Sequence, residues 1–283
     1  MNKNELLQLE STALSIRRNI LRLIKAGQTG HVGGALSSVE IVTALYFKLM
    51  NVDPKNPKWN KRDRFVLSAG HKCLVLYAAL AEKGFFDKSV LDTYGALDSK
   101  LPGHPNMHKL PGVETNTGAL GHGLSIAGGM ALGFKMDKST SKVYVLMGDG
   151  ELAEGSNWEA AAAASMHKLD NLVVFVDRNK LQISGPTVDV MSYEPLEDRW
   201  RAFGWSVKTI DGHNLETIVS LVQSTPLEKG KPTVFIADTI KSKGLSFAEA
   251  KVSYHYWKTN PEEMAQAEKD LDMIESKLKE KLG

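Results

Sequence analysis

One cysteine, Cys73, is all that the 283-residue sequence contains, which excludes an intrachain disulfide and a zinc site built from several thiolates. That scarcity fits a reducing compartment, with Cys73 itself buried and inert. A membrane span needs about 20 apolar residues in a row, and none is present. The least polar stretch, from Ala119 to Phe134, contains His122, Ser125 and several glycines. The N-terminus, MNKNELLQLESTALSIRRNILRLIKAG, is too polar for a secretory signal, so a cytoplasmic protein without a membrane partner is expected. Charge of one sign is not in excess either. With 35 basic and 33 acidic residues intermixed, the formal charge of +2 gives no electrostatic reason to expect nucleic acid. Internal repeats and low-complexity tracts are missing, as are the Gly-Lys-Ser/Thr of a phosphate loop and a G-x-G-x-x-G after an early strand.

What is there is an alternation of two patterns. Apolar runs at Arg64–Ser68, Lys142–Met147, Leu172–Asp177 and Thr233–Asp238 lack polar alternation, as strands buried on both faces of a parallel sheet do. Helical patterns at Ser38–Leu49, His71–Glu82, Gly123–Asp137, Gly155–His167 and Leu215–Gln223 supply the crossovers. The expected fold is therefore α/β, a parallel sheet with helices on both faces. At the start, Leu6, Leu9, Ala13, Ile16, Ile20 and Leu23 repeat at helical spacing up to Gly27. At the end, Asn260 caps a helix from Pro261 whose apolar positions are Met264, Ala267, Leu271, Ile274 and Leu278.

The segment from Val143 to Gly185 carries the chemistry. Asp149 follows one apolar run and Asn179 follows the next, 30 positions later, a spacing that suits one βαβ step. The Gly148-Asp149-Gly150 turn exposes backbone N–H groups at close approach, ahead of an alanine-rich helix. Magnesium takes oxygen ligands and commonly accepts only one or two protein carboxylates beside phosphate oxygens and water. Asp149, the Asn179 amide oxygen and a backbone carbonyl near Leu181 meet that need, with a diphosphate carried on the cation.

Gly-Asp-Gly followed some thirty residues later by Asn resembles the thiamine diphosphate-binding motif. TGHVGG with His31, SAGHK with His71, PGHPN with His104, and TGALGHG from Thr117 to Gly123 each resemble a transketolase segment in the same chain order. The resemblance runs from the N-terminal helix to His255 and implies one diphosphate-binding domain over residues 1–283, with packing helices at both ends. It implies thiamine diphosphate as cofactor, with Mg2+, or Ca2+ or Mn2+, as its metal. By that resemblance His71, Gly148, Gly150 and Asn179 contact the diphosphate, and Gly118 and Leu120 lie against the rings. Asp149, Asn179 and Leu181 hold the metal, while His31, His104 and His255 reach the sugar. Imidazoles suit proton movement near neutral pH. Glu154 and Glu159 match family glutamates at a subunit interface. His108, His122, His167 and His213 read as surface or structurally satisfied side chains.

The family activates its cofactor with a glutamate from a separate pyrimidine-binding domain. Only 28 residues follow His255, and they read as one charged helix, so that domain is expected on a second, C-terminal transketolase subunit, with two copies of each chain. The implied reaction moves a two-carbon ketol unit from a ketose phosphate to an aldose phosphate. Asn106 after Pro105, His122 in TGALGHG and Ser184 before Gly185 depart from the usual family residues and leave the sugar open, a sulfonated or branched one included. PGHP and TGALGHG argue against a deoxyxylulose-phosphate synthase or a 2-oxoacid dehydrogenase component. A non-catalytic regulatory subunit is the reading from a different class; the retained polar loop residues speak against it.

Overall fold

The computed structural model describes residues 1–282. Five strands, β2 (Arg64–Leu67), β3 (Val143–Gly148), β4 (Leu172–Arg178), β7 (Ser206–Asp211) and β8 (Thr233–Asp238), form one parallel sheet in the order β2-β3-β4-β8-β7. The continuous apolar runs follow from double-sided burial. Tyr144, Leu146, Val173, Phe175 and Phe235 face one apolar cluster, while Val145, Met147, Val174, Val176 and Ile236 face the other. Each fully buried Val, Ile or Phe contributes on the order of 1.5–3 kcal/mol.

One face is covered by α1 (Lys3–Gly27), α2 (Val32–Ser37), α3 (Val39–Ala44), α4 (Cys73–Lys83), α9 (Leu215–Gln223) and α10 (Pro261–Leu282). The other carries α5 (Gly123–Met136), α6 (Gly155–Met166) and α8 (Leu196–Ala202). The chain thus leaves β2 toward α4 on one face and β3 toward α6 on the other. Connections that diverge in this way open a crevice beyond the carboxyl ends of the strands.

Both terminal helices are built as the sequence predicts. Asn2 and Glu5 form a capping box on α1, with the Glu5 N–H donating to Asn2 Oδ1 at 2.9 Å and the Asn2 N–H to Glu5 Oε2 at 3.1 Å. Asn260 Oδ1 accepts from the Glu263 N–H at 2.9 Å and caps α10, which packs along α1. Other boundaries differ from expectation. The helix predicted over Ser38–Leu49 is α3 followed by a π turn, Leu45–Leu49, and α2 is separate because the chain kinks at Ser38, whose hydroxyl bonds Gly34 O. The helix predicted from His71 begins as a 3-10 turn, Gly70–Lys72. Strand β7 escapes the sequence pattern because it is an edge strand carrying Lys208 and Thr209 on exposed positions, which breaks the apolar run. The short pieces β1 (Thr29–Gly30), β5 (Leu181–Gln182), β6 (Gly185–Pro186), α7 (Thr187–Val190) and β9 (Trp257–Lys258) carry too few residues for a period to show.

Candidate active site

Loops at the carboxyl ends of β2, β3, β4 and β8 converge on a cavity of about 410 Å3. Asp149 comes from the end of β3 and Asn179 from just past β4, neighbouring strands whose register sets Gly148 opposite Asp177. His71 rides the 3-10 turn after β2. The antiparallel pair β1–β9 joins Gly30 to Trp257 and so sets His31, at the start of α2, beside His255, with ring centroids 5.5 Å apart. The His71 ring stacks on His255 at 5.4 Å and lies edge-on to His31 at 5.3 Å.

Gly118, Leu120, Gly148, Gly150, Leu181 and Glu154 also line the cavity. His104 stands at its exposed margin, 6.4 Å from the His31 ring. Gly118 adopts φ of 149°, and a Cβ there would lie 3.0 Å from His104 Cδ2, so only glycine lets the imidazole pack on this turn. Glu159 does not join the site. It is exposed on a groove between α5 and α6, with Ser125, Gly129 and Ala163. His108, His122 and His167 are exposed, and His213 is held by Glu40 at 2.9 Å and by the Ile240 N–H. A larger cleft of about 530 Å3 between α1, α9 and α10 has Arg17, Glu40 and His213 paired on its floor, which leaves them without free chemistry.

Asp149 is 8% exposed and Asn179 7%. The Asp149 carboxylate accepts from the Gly150 N–H at 2.9 Å and the Lys180 N–H at 2.6 Å, which aims it at the cavity. Burial, then the neighbouring Asp177, push its carboxyl up to about 6. A divalent cation would offset both causes. Among the described residues no three His, Cys, Asp or Glu side chains cluster as a metal site, so the donors are a mixed set. One carboxylate with the neutral oxygens of Asn179 and Leu181 suits a hard cation that keeps charge for a diphosphate. The residues present fit that group.

Four side chains that matter here are not singled out by the sequence. Lys72, 2% exposed, is ion-paired at 2.6 Å with the fully buried Asp177. Lys241, from the turn after β8, donates to Leu181 O at 2.9 Å and to His255 Nδ1 at 3.0 Å. That bond leaves the His255 proton on Nε2. Burial, then Lys72, bring Lys241 down to about 8. Glu151 accepts from the Ser68 hydroxyl and from the N–H groups of Gly121 at 3.0 Å and Gly148 at 3.2 Å. The two glycines of VGG make room for the two lysine stems. A Cβ on Gly33 would lie 3.0 Å from Lys241 Cε, and one on Gly34 would lie 2.9 Å from Lys72 Cε.

Burial and neighbouring charged groups shift three of the cavity imidazoles. Burial, then His104, lower His31 to about 4; burial, then Lys72, lower His71 to about 2; burial, then Lys241, lower His255 to about 3. All three are neutral at pH 7, each ring offering one N–H donor and one acceptor nitrogen. An anion entering the cavity raises them again.

These features, a cavity at the strand ends, mixed oxygen donors and three neutral imidazoles, fit the cofactor-binding α/β class to which the comparisons point. The sequence profile described as "Transketolase, thiamine diphosphate binding domain" matches residues 10–278. The chain belongs to the transketolase family. It is 46% identical over 281 residues to an apulose-4-phosphate transketolase subunit of Phocaeicola vulgatus, covering 98% of this chain and 100% of that protein. It is 48% identical over 256 residues to the 6-deoxy-6-sulfo-D-fructose transketolase subunit SqwG of a Clostridium species, covering 90% of this chain and 93% of that one. The transketolase of Campylobacter jejuni superposes with a TM-score of 0.86 at 30% identity over 100% of this chain and 49% of that structure. The chain therefore spans about half the length of the solved transketolase it matches. No helix among the described residues is long and apolar enough to cross a membrane.

Proposed function

We propose that this chain is the diphosphate-binding subunit of a two-chain transketolase, with residues 1–283 forming one domain braced by α1 and α10. The reading rests on the convergence of His31, His71 and His255 with Asp149, Asn179 and Leu181 on one cavity. Asp149 and the oxygens of Asn179 and Leu181 hold Mg2+. His71, Asn179 and the backbone of Gly148 and Gly150 hold the diphosphate, with Gly118 and Leu120 against the rings. Thiamine diphosphate, when bound, supplies the carbon nucleophile for moving a two-carbon ketol unit. His31, His104 and His255 orient the sugar hydroxyls; His255 donates from Nε2 because Lys241 occupies Nδ1.

A C-terminal partner chain brings the pyrimidine-binding domain. Support comes from the cavity rim, where Ile183 is 69% exposed and Val188 and Met191 in the following turn are exposed too. Two copies of each chain complete the assembly. Glu154 on the rim, Glu159 on the α5–α6 face, and the exposed Met136 and Met166 of those helices favour a contact between copies there. The single, buried Cys73 suits a cytoplasmic setting.

Relatives named for apulose 4-phosphate and for 6-deoxy-6-sulfo-D-fructose favour an unusual sugar over the common ketose and aldose phosphates. Co-expression with the product of a neighbouring reading frame, followed by ketol-transfer assays, tests the whole reading. Xylulose 5-phosphate, apulose 4-phosphate and 6-deoxy-6-sulfo-D-fructose are the substrates to compare. Activity is expected only in the reconstituted complex and is lost in Asp149→Ala. Ketol transfer by the purified chain alone would overturn the two-chain reading.

A further inference from the structure

We infer that Lys72 is a positioning residue: through Asp177 it holds the Asn179 side chain so that its amide oxygen faces the cavity. The inference rests on the reading of Asp149 and Asn179 as metal ligands. An asparagine amide can turn either way, and only its oxygen can bind a cation. Here Asn179 Nδ2 lies 3.1 Å from Asp177 Oδ2. A carboxylate only accepts, so the amide nitrogen must face it and Oδ1 must point away, where it also accepts from the Leu181 N–H at 3.2 Å.

Asp177 holds this orientation because it is itself fixed from several sides. It is fully buried and accepts from Lys72 Nζ and Ser37 Oγ, both at 2.6 Å, and from the Thr239 hydroxyl. Lys72 supplies the only positive charge among these contacts. Removing one partner of a buried pair leaves the other charge uncompensated, and its remaining contacts rearrange to screen it. Lys72 bonds the same oxygen, Oδ2, that accepts from the Asn179 amide nitrogen, so without the lysine that oxygen moves with its remaining contacts and no longer fixes the amide. Lys72 has room to reach Asp177 because residue 34 is glycine, so the TGHVGG loop contributes to the metal site at second hand.

A purely structural role predicts that metal binding follows fold stability, and a positioning role predicts that the two separate. The test compares the full chain with Lys72→Met, with the double variant Lys72→Met/Asp177→Asn, and with Asp149→Ala. Mn2+ affinity is measured by electron paramagnetic resonance in the presence of inorganic diphosphate, and melting temperature is measured in parallel. The double variant removes both buried charges at nearly constant volume and is expected to recover the melting temperature lost in Lys72→Met. Mn2+ affinity is expected to fall at least tenfold in Lys72→Met and to stay low in the double variant, where an amide at 177 no longer dictates which way Asn179 turns. Wild-type Mn2+ affinity in Lys72→Met, with binding lost in Asp149→Ala, would overturn the role of Lys72 alone. Equal binding by wild type and Asp149→Ala would overturn the metal-site reading beneath it.

Discussion

Replacing Glu151 by Ala is expected to cost about 3 kcal/mol of stability and to loosen the loop that carries Gly118 and Leu120. The side chain is 2% exposed and satisfies three donors, the Ser68 hydroxyl and the N–H groups of Gly121 and Gly148. Leaving a buried donor without its acceptor costs roughly 1–3 kcal/mol. The hydroxyl can rotate to another partner, whereas two fixed backbone N–H groups cannot, giving roughly 2–6 kcal/mol. Water entering from the adjacent cavity places the expectation near the lower half of that range. For a chain of this size that corresponds to a fall in Tm of about 6–12 °C. Gly121 is also held through its carbonyl, which accepts from Ser156 Oγ at 2.9 Å, so the loop frays without unfolding. Urea denaturation gives the free energy, and hydrogen exchange at the Gly121 amide gives the local effect. A change below about 0.5 kcal/mol with unaltered exchange at Gly121 would refute the reasoning, since surface-like substitutions fall in that range.

Gly33→Ala is expected to destabilise by about 1–3 kcal/mol, as overpacking does, because the new Cβ would lie 2.8 Å from Tyr254 O; a gain in Tm, the usual helix response to Gly→Ala, would contradict it. Lowering the pH from 7 to 5 is expected to weaken the histidine contribution to folding. The unfolded chain takes up protons below its ordinary pKa of about 6.5, while His31, His71 and His255 in the fold stay neutral down to about 4, 2 and 3. The urea midpoint should therefore fall more steeply with acid in wild type than in His71→Gln, and equal slopes would count against burial as the cause. Lys241→Met removes a cavity cation that has no carboxylate within 4 Å among the described residues, so inorganic diphosphate should bind roughly 10- to 100-fold more weakly, as loss of a charged hydrogen bond implies. Calorimetric titration showing unchanged affinity would remove Lys241 from the site. Mn2+ and diphosphate should each tighten the other's binding by the same factor, and a factor of one in either titration would deny that they share the cavity.

The parts of this protein legible in its sequence are those that repeat or end abruptly. Strands β2, β3, β4 and β8 declare themselves through double-sided burial, α1 through its apolar stripe, and α10 through its cap and stripe. Asp149 and Asn179 are visible because each is a polar residue closing an apolar run. Asp177 closes the same run two residues earlier, yet nothing in the sequence marks it, because its function lies in contacts to Lys72, Ser37 and Thr239, which are remote along the chain. Lys72, Lys241 and Glu151 share that character. A lysine or glutamate in a loop is ordinarily solvated, and only the close approach of Gly33 and Gly34 reveals that two lysine stems run inward. Histidine chemistry is hidden from the sequence for a related reason. Composition supplies the imidazole, whereas burial and the neighbouring cations set its protonation state.

The electrostatics of the cavity explain why metal and diphosphate belong together here. Lys72 is committed to Asp177, which burial raises but which Lys72 and its hydrogen bonds hold below the usual carboxylate range. Lys241 then faces Asp149, and Glu151 lines the same cavity; burial disfavours the ionised form of both carboxyls. A diphosphate arriving alone meets one free ammonium and these two acids, and gains little. A dication arriving alone restores the ionised state of Asp149 but keeps coordination positions that the protein oxygens do not fill. Together they balance. On the reading proposed above, the chain's charges suit a metal diphosphate taken up as a unit, with Ile183 and Glu154 at the cavity rim. The partner chain proposed above would then govern the chemistry from this rim without having to bind the metal.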